Sequence, residues 1–397
     1  MKAKRRAVIG ATLLAGAMML GTSQAAKAAE PLKLGMIVSS SGPSASNAVQ
    51  FTGAVKAFMA KHGDTVAGRK IEIIQRDGMG PAPDVNLRLT QELISRQGVE
   101  MIFGFDYTPN VLAVKKISTQ AKMPILISNA ATSGILHDAP YMVRFGLTTA
   151  QVTKPLAEWM PKNGLKNAYV LFANYGPGLE AKAAFKDAFT AAGGNYMGEI
   201  PVPVSNPDFS GYLQRIKEAK PDALFVFLPT GDQPGAFLKA ARDYDLAGAG
   251  IKIVGTGDIA SEDVIDSIGD SILGVTTAFG YSDVHNSPEN KEFVELFTKA
   301  TGGTVRPNFH AATVWDIMGA IYKVVEAQNG KLDPEKTIEL LKGYKSTGAR
   351  GPIEIDSSSR DLTTTVYLRT AENQGDRIVN REFEAIPSVK SPAKVAH

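Results

Sequence analysis

Short apolar runs exchange with longer amphipathic stretches through most of this chain, the rhythm of strands alternating with helices. Leu32–Val38 reads as a first strand that ends in Ser39-Ser40-Ser41-Gly42-Pro43-Ser44, and a helix follows over about 46–61. Residues 69–75 alternate as a strand and stop at Asp77-Gly78. Asp84 then caps a helix with Val85, Leu89 and Leu93 at four-residue spacing. The apolar run 101–103 breaks at Gly104, and Thr108-Pro109 predicts a helix start, with Thr108 as N-cap. That helix runs to about Ala121, and 125–127 is a strand breaking into Ser128-Asn129-Ala130-Ala131-Thr132. The order is βαβαβαβ, with strands apolar enough to be buried on both faces.

Residues 141–147 read as an extended crossing, after which the pattern restarts. A helix over 150–160 leads to a strand at 168–172 and the turn Ala173-Asn174-Tyr175-Gly176. The next helix carries Ala181, Phe185 and Phe189 on one face and stops at Gly193-Gly194. Strand 224–228 ends in Pro229-Thr230-Gly231-Asp232, and strand 251–254 in Gly255-Thr256-Gly257-Asp258. Residues 273–279 are extended and return the chain to the first half, where helices at 288–300 and 308–328 pack. Residues 363–368 form a late strand, and the end beyond Pro387 frays. The fold class is therefore α/β: two Rossmann-like lobes with parallel-rich central sheets, joined by a multi-strand hinge. The expected division is 31–147 plus about 282–345 for lobe 1, 148–281 plus about 346–385 for lobe 2, and 386–397 as a tail. In open parallel sheets, small ligands bind in the crevice at the carboxyl ends of the strands, where turns present free N–H groups and hydroxyls. The turns at 104–108 and 128–132 suit a small carboxylate.

Charge and composition change the picture at one place. Lys2, Lys4, Arg5 and Arg6 precede an apolar stretch at 7–20 that is short for a membrane span, and Ala26-Lys27-Ala28 is a small-residue cleavage site. Residues 1–28 read as a cleaved signal peptide, which places the protein in the periplasm. This segment holds five of the 43 basic residues and no acid. The remaining 38 basic and 40 acidic residues leave a net charge of −2, which gives no reason to expect nucleic acid as a partner. The absence of cysteine excludes a lipidated N-terminal Cys, disulfides and thiolate metal sites, and the histidines have no metal-ligand spacing. No cofactor is expected. There is no Gly-x-Ser-x-Gly elbow, Walker loop or zinc-peptidase motif, so an enzyme is not expected.

The segments Ser39–Pro43 (SSSGP), Gly104 with its hydroxyl-bearing turn, Ser128–Thr132 (SNAAT), Asn174–Gly178 (NYGPG) and Arg306–Phe309 (RPNF) together resemble the leucine/isoleucine/valine-binding proteins. These are type I periplasmic binding proteins that serve ABC importers. The resemblance runs from about Leu32 to Leu368 and implies a monomer that captures a branched-chain or hydrophobic amino acid, or an aromatic acid, by hinge closure and delivers it to inner-membrane permease subunits. It implies carboxylate contacts at Tyr107, Thr108, Ala130 and Thr132, closing residues at Tyr175, Thr230 and Asp258, and an apolar wall at Phe309; Ser41 joins them from the Ser-rich turn. The family's amine-gripping acid maps most strictly onto Gly257, with Asp258 one residue later, and the 104–109 turn carries Phe105, Asp106 and Tyr107 instead of a serine run. That departure resembles relatives that bind aromatic carboxylates, whose rings stack on aromatic faces. Asp106 and Asp232 read as turn residues, and Arg144 as one half of a structural ion pair with an anion clamp as the other reading. A soluble ligand sensor feeding a separate signalling partner is the competing function.

Overall fold

The structure is a computed structural model, and it describes residues 30–204 and 206–392. The expected signal peptide lies outside the described residues. The first sheet contains β1 (Leu32–Val38), β2 (Thr65–Val66), β3 (Arg69–Asp77), β4 (Met101–Gly104), β5 (Ile125–Ile127) and β6 (Met142–Arg144) in the order β2-β3-β1-β4-β5-β6. All pairings are parallel except that of β2 with β3. Connecting helices are α1 (Ser46–His62), α2 (Pro83–Glu92) and α3 (Thr108–Ala121). The strands β1, β4 and β5 are buried along almost their whole length, as the unbroken apolar runs require.

The second sheet is entered through α4 (Thr149–Lys162), started by a capping box between Thr148 and Gln151. It continues with β7 (Asn167–Ala173), α5 (Gly176–Ala191), β8 (Asn195–Val202), α6 (Ser210–Ala219), β9 (Ala223–Phe227), α7 (Asp232–Asp243), β10 (Lys252–Thr256), α8 (Ile265–Ile268) and β11 (Thr276–Phe279). The chain then returns through α9 (Pro288–Thr301) and α10 (Phe309–Ala327), which pack on α1, and α11 (Pro334–Leu341). It re-enters the second sheet as β12 (Lys345–Gly348), β13 (Gly351–Ile355), β14 (Leu362–Gln374) and β15 (Arg377–Lys390). The sheet order is β12-β13-β14-β11-β10-β9-β7-β8, with β15 on β14. The chain thus passes between the sheets near 145–148, 280–287 and 342–344, and the largest apolar cluster runs through these crossings at Phe145, Leu147, Phe279 and Phe309.

Three local expectations are corrected. The end of the chain does not fray at Pro387: β14 and β15 form a long antiparallel hairpin with partners from Gln374↔Arg377 to Thr363↔Lys390. Its loop, Gly375-Asp376, places Gly375 at φ 65°, the left-handed conformation that a tight hairpin needs. Thr108 is not the N-cap of α3; Tyr107 is, with extended backbone, and Thr108 is the first helical residue. The Thr108 hydroxyl is drawn across to Thr132 instead of back to its own helix. Asp84 likewise sits inside the first turn of α2, whose N-cap is Ala82.

Candidate functional site

The carboxyl ends of β1, β4 and β5 face those of β7, β9 and β10, and the turns leaving these strands enclose a small cavity. Its lining includes Asn47, Asp106, Tyr107, Thr108, Asn129 and Ala131 from the first lobe, and Tyr175, Pro177, Phe227, Pro229, Thr230 and Asp258 from the second. The cavity measures about 20 Å³, room for little more than one water molecule. The rims are therefore shut on each other, and a larger solute requires them to part. A far larger groove, about 840 Å³, lies at the opposite edge of the second sheet, between Trp159, Asp245, Asp270 and Leu273. It opens at the amino ends of β10 and β11, away from the edge where α/β sheets gather ligands.

The first-lobe rim is held in unusual backbone shapes. Gly104 has φ 121°, and a side chain there would meet the Ile37 carbonyl oxygen at 2.1 Å. Phe105 and Ala130, in the neighbouring turns, are non-glycine residues at φ 64° and 55°. Such conformations persist only where the surroundings over-determine them, and they gather at ligand clamps. Here the restraint is visible. The buried Arg144 guanidinium donates to the carbonyls of Ala130 (2.9 Å) and Thr132 (2.7 Å) and to Asp361 Oδ1 (2.7 Å). Arg144 is thus the structural half of the two expected readings; it fastens the 128–132 turn from behind. The Thr108 and Thr132 hydroxyls lie 3.1 Å apart, and the Thr132 N–H donates to Thr108 Oγ1 at 3.3 Å.

The cavity has polarity. At the β5/β7 end, the N-termini of α3 and α5 converge, each with proline in its first two positions and no side-chain cap. A Cβ on Gly176 would lie 3.0 Å from Thr132 Oγ1 and 4.0 Å from Thr108 Cγ2, so the start of α5 comes close to both the 128–132 turn and the start of α3. Uncapped N–H groups and the positive ends of two helix dipoles favour an anion there. At the β1/β10 end, Ser44 Oγ lies 2.6 Å from the Tyr107 hydroxyl and donates to the Thr230 carbonyl at 3.3 Å. Asp106 Oδ2 accepts from Ser39 N and Asn47 Nδ2 at 3.2 and 3.1 Å. Asp258 accepts from Thr256 Oγ1 at 2.7 Å, and burial pushes its pKa up to about 6. No lysine or arginine is among the residues lining the cavity. Between the ends stand Phe227, Pro229 and two phenols. Burial pushes Tyr107 up to about 12 and Tyr175 well above the usual phenol range, so both stay protonated donors.

The structure brings Tyr107, Thr108, Tyr175, Thr230 and Asp258 to one cavity, with Thr132 hydrogen-bonded behind it. Ala130 faces into the protein, and its neighbour Ala131 lines the cavity instead. Ser41 is exposed; the 3-10 turn at Gly42–Ser44 carries Ser44 to the position expected of it. Phe309 is buried against Phe279, ring centroids 4.6 Å apart, with the Arg350 guanidinium 5.3 Å from its ring. It belongs to the hinge, and Phe227 forms the apolar wall. Asp232 lies in the first turn of α7 and outside the cavity lining. Asn47 and Phe227 are new to the site. Phe227 closes an apolar strand just before an expected binding turn, a usable signal; Asn47 has none in its own neighbourhood.

Gly257 settles where the second-lobe acid can stand. A side chain there would strike Phe279 Cγ at 2.2 Å and Arg369 Nη2 at 2.5 Å. In this packing position 257 has no room for a side chain unless Phe279 and Arg369 shift, and Asp258 is the residue of that turn that lines the cavity.

Two facing lobes, three crossings and a polar cavity between the rims define a hinged solute clamp. The chain belongs to the periplasmic binding protein family, whose model matches residues 31–376. It is 38% identical over 365 residues to Leu/Ile/Val-binding protein homolog 6 of Brucella abortus (strain 2308), covering 92% of this chain and 94% of that one. It also superposes on an ABC transporter solute-binding protein from Rhodopseudomonas palustris BisB5 in complex with 3,4-dihydroxybenzoic acid, with TM-score 0.88, 43% identity and 91% and 99% of the two chains covered. A solute-binding protein from R. palustris in complex with 4-hydroxybenzoate matches with TM-score 0.87, 38% identity and coverage of 92% and 98%. The expected fold, family and role as an importer's binding protein hold. The family is one of binding proteins, not of enzymes.

Proposed function

We propose that this protein captures a hydroxylated aromatic carboxylate in the periplasm and hands it, as a monomer, to the permease of an ABC importer. The observation that carries the ligand class is the polarity of the cavity: helix N-termini at one end, two carboxylates without a lining cation at the other. The turns after β7 and β10 are two strands apart, roughly 10 Å at the usual strand spacing. An α-amino acid carries its ammonium on the carbon next to its carboxylate. A ring hydroxyl lies across the ring, where it would donate its hydrogen bond to Asp106 or Asp258. The lack of room for an acid at position 257 in this packing supports the same choice. So do the benzoates bound to the two relatives from R. palustris.

Capture begins on the first lobe, where the carboxylate meets the α3 N-terminus and the Thr108 and Thr132 hydroxyls. Closure brings Tyr175 and Phe227 against the ring and Asp258 to the hydroxyl, and excluding water strengthens these bonds. The solute leaves unchanged, since no step of this cycle makes or breaks a covalent bond. Residues 1–28, read as an export signal, support the periplasmic setting.

The test is a thermal-shift series on mature protein with 3,4-dihydroxybenzoate, 4-hydroxybenzoate, benzoate and leucine. A ligand at 100 times its Kd stabilises the folded form by about 2.7 kcal/mol. The hydroxylated acids are expected to raise Tm most and leucine least. A shift with leucine and none with the aromatic acids overturns the reading.

A further inference from the structure

Glu180 carries no motif or spacing that singles it out. It lies on α5, one turn beyond Gly176, and is 4% exposed. Its Oε2 accepts from the Ser133 N–H at 2.6 Å and its Oε1 from Ser133 Oγ at 2.5 Å, both across the cleft from the first lobe. Within its own lobe it has one longer bond, from Ala150 N at 3.3 Å. Ser133 directly follows Thr132, on the turn whose carbonyls Arg144 fastens.

We infer that Glu180 is a positioning residue that latches the closed cleft at its carboxylate end. The inference rests on the clamp reading of the cleft. Hydrogen bonds to a carboxylate are about twice as strong as neutral ones, and a two-pronged arrangement adds direction. Thr149 N, at the start of α4, also donates to the Ala131 carbonyl of this turn at 2.8 Å, so the latch lies beside the crossing near 145–148, and on this inference its two short bonds form as the rims meet. Parting the lobes leaves Glu180 with Ala150 and solvent.

The latch is also tied to occupancy. A carboxylate bound at Thr108 and Thr132 holds the 128–132 turn, and that turn sets where the Ser133 N–H and hydroxyl point. An ordered turn offers Glu180 both donors at once; in the empty protein the same turn, still fastened by Arg144, offers them for a smaller share of the time.

The opposite edge of the cleft has no carboxylate reaching across to the 128–133 turn; at the β1/β10 end Ser44 Oγ crosses to the Thr230 carbonyl at 3.3 Å, and the remaining bonds lie farther out. There Asn308 Nδ2 donates to Ser261 Oγ and Asp263 Oδ1 at 3.2 and 3.0 Å, and Arg306 reaches Asp266 and the Ile378 carbonyl at 3.1 and 2.8 Å. These bonds leave from the α9–α10 connection and the α10 cap, not from a turn that receives the solute. The Glu180 edge joins the lobes through the anion-binding turn itself. Burial raises the Glu180 pKa, opposed by the Ser133 bonds and by nearby Arg144, so the charged form depends on those partners when the cleft is shut.

The experiment is stopped-flow binding of 4-hydroxybenzoate to Glu180→Ala, Glu180→Gln, Ser133→Ala and the Glu180→Ala/Ser133→Ala double variant. Circular dichroism melting first confirms that each is folded, and Glu180→Gln stands in should the alanine variant not fold. The expected result is a dissociation rate raised about tenfold or more in Glu180→Ala, with the association rate within twofold of wild type. Ser133→Ala raises dissociation less, and the double variant no further than Glu180→Ala, because both remove one contact. Unchanged dissociation, or single effects that simply multiply, overturns the latch. Should 4-hydroxybenzoate fail to bind the wild type, the ligand reading falls by itself. The latch is then decided by small-angle scattering on ligand-free protein: a larger radius of gyration in Glu180→Ala supports it, and identical curves overturn it.

Discussion

On the first-lobe rim, every turn is tied from behind. Arg144 holds two carbonyls of the 128–132 turn, Asp106 holds Ser39 N and Asn47, and Thr108 and Thr132 hold each other. On the second-lobe rim, Tyr175 stands at the head of α5 with no side-chain cap, the Thr230 hydroxyl reaches only His310 of the other lobe at 3.4 Å, and Asp258 has one partner, Thr256. The first rim is preorganised and loses little freedom when an anion arrives, which favours affinity. The second rim carries larger, less restrained groups, which on the proposed function would discriminate between solutes. Capture and choice would thereby be divided between the lobes.

The division breaks most severely at Arg144. Arg144→Met leaves Asp361 buried without its cation, and losing one member of a buried pair costs about 3–5 kcal/mol. Chemical denaturation is expected to show that loss, and calorimetry at a temperature where the variant is folded should show affinity reduced about tenfold or more for every solute alike. A folded variant with native affinity would mean that the first rim needs no scaffold.

Asp258→Asn probes choice. Burial holds the Asp258 pKa up at about 6, whereas an unfolded aspartate titrates near ~3.9. Between these values the folded protein keeps a proton that the unfolded chain has lost. Stability therefore declines as pH rises through the window and levels off above about pH 6, a difference of roughly 3 kcal/mol. The asparagine variant lacks this contribution, so its stability relative to wild type should improve from pH 4 to pH 7, as read from urea midpoints. Its affinity for 4-hydroxybenzoate should fall about tenfold while that for benzoate barely changes. Equal losses for both acids would place Asp258 in capture.

The mildest change is Thr132→Ala. Removing one hydroxyl bond costs about 0.5–1.5 kcal/mol of stability. Calorimetry should show weaker binding of benzoate and 4-hydroxybenzoate by the same factor, with Ser41→Ala, exposed and outside the cavity, as the unaffected control. Unequal factors would blur the division.

The alternation of apolar runs and polar turns was enough to determine two βα lobes, the first parallel-rich as expected, whereas β12 to β15 make the second sheet a mixed one. Burial of a strand on both faces and breakage at glycine or hydroxyl residues are local properties of a sequence, so the turns could be located, and the family resemblance then nominated Thr108, Thr132, Tyr175, Thr230 and Asp258 on them. What the sequence could not decide is direction. Whether Thr108 caps its helix or reaches Thr132, whether Ser41 or Ser44 faces the cleft, and whether Phe309 lines a pocket or fills a hinge all depend on a neighbour far away in the chain. The β14–β15 hairpin escaped notice because β15 is largely exposed and carries little apolar alternation. Glu180 and Ser133 lie 47 positions apart on opposite lobes, and neither has a signal in its own segment. Only the packing of one lobe on the other makes them partners, because a hydrogen bond across a cleft is a property of two surfaces and not of either strand of sequence that forms them.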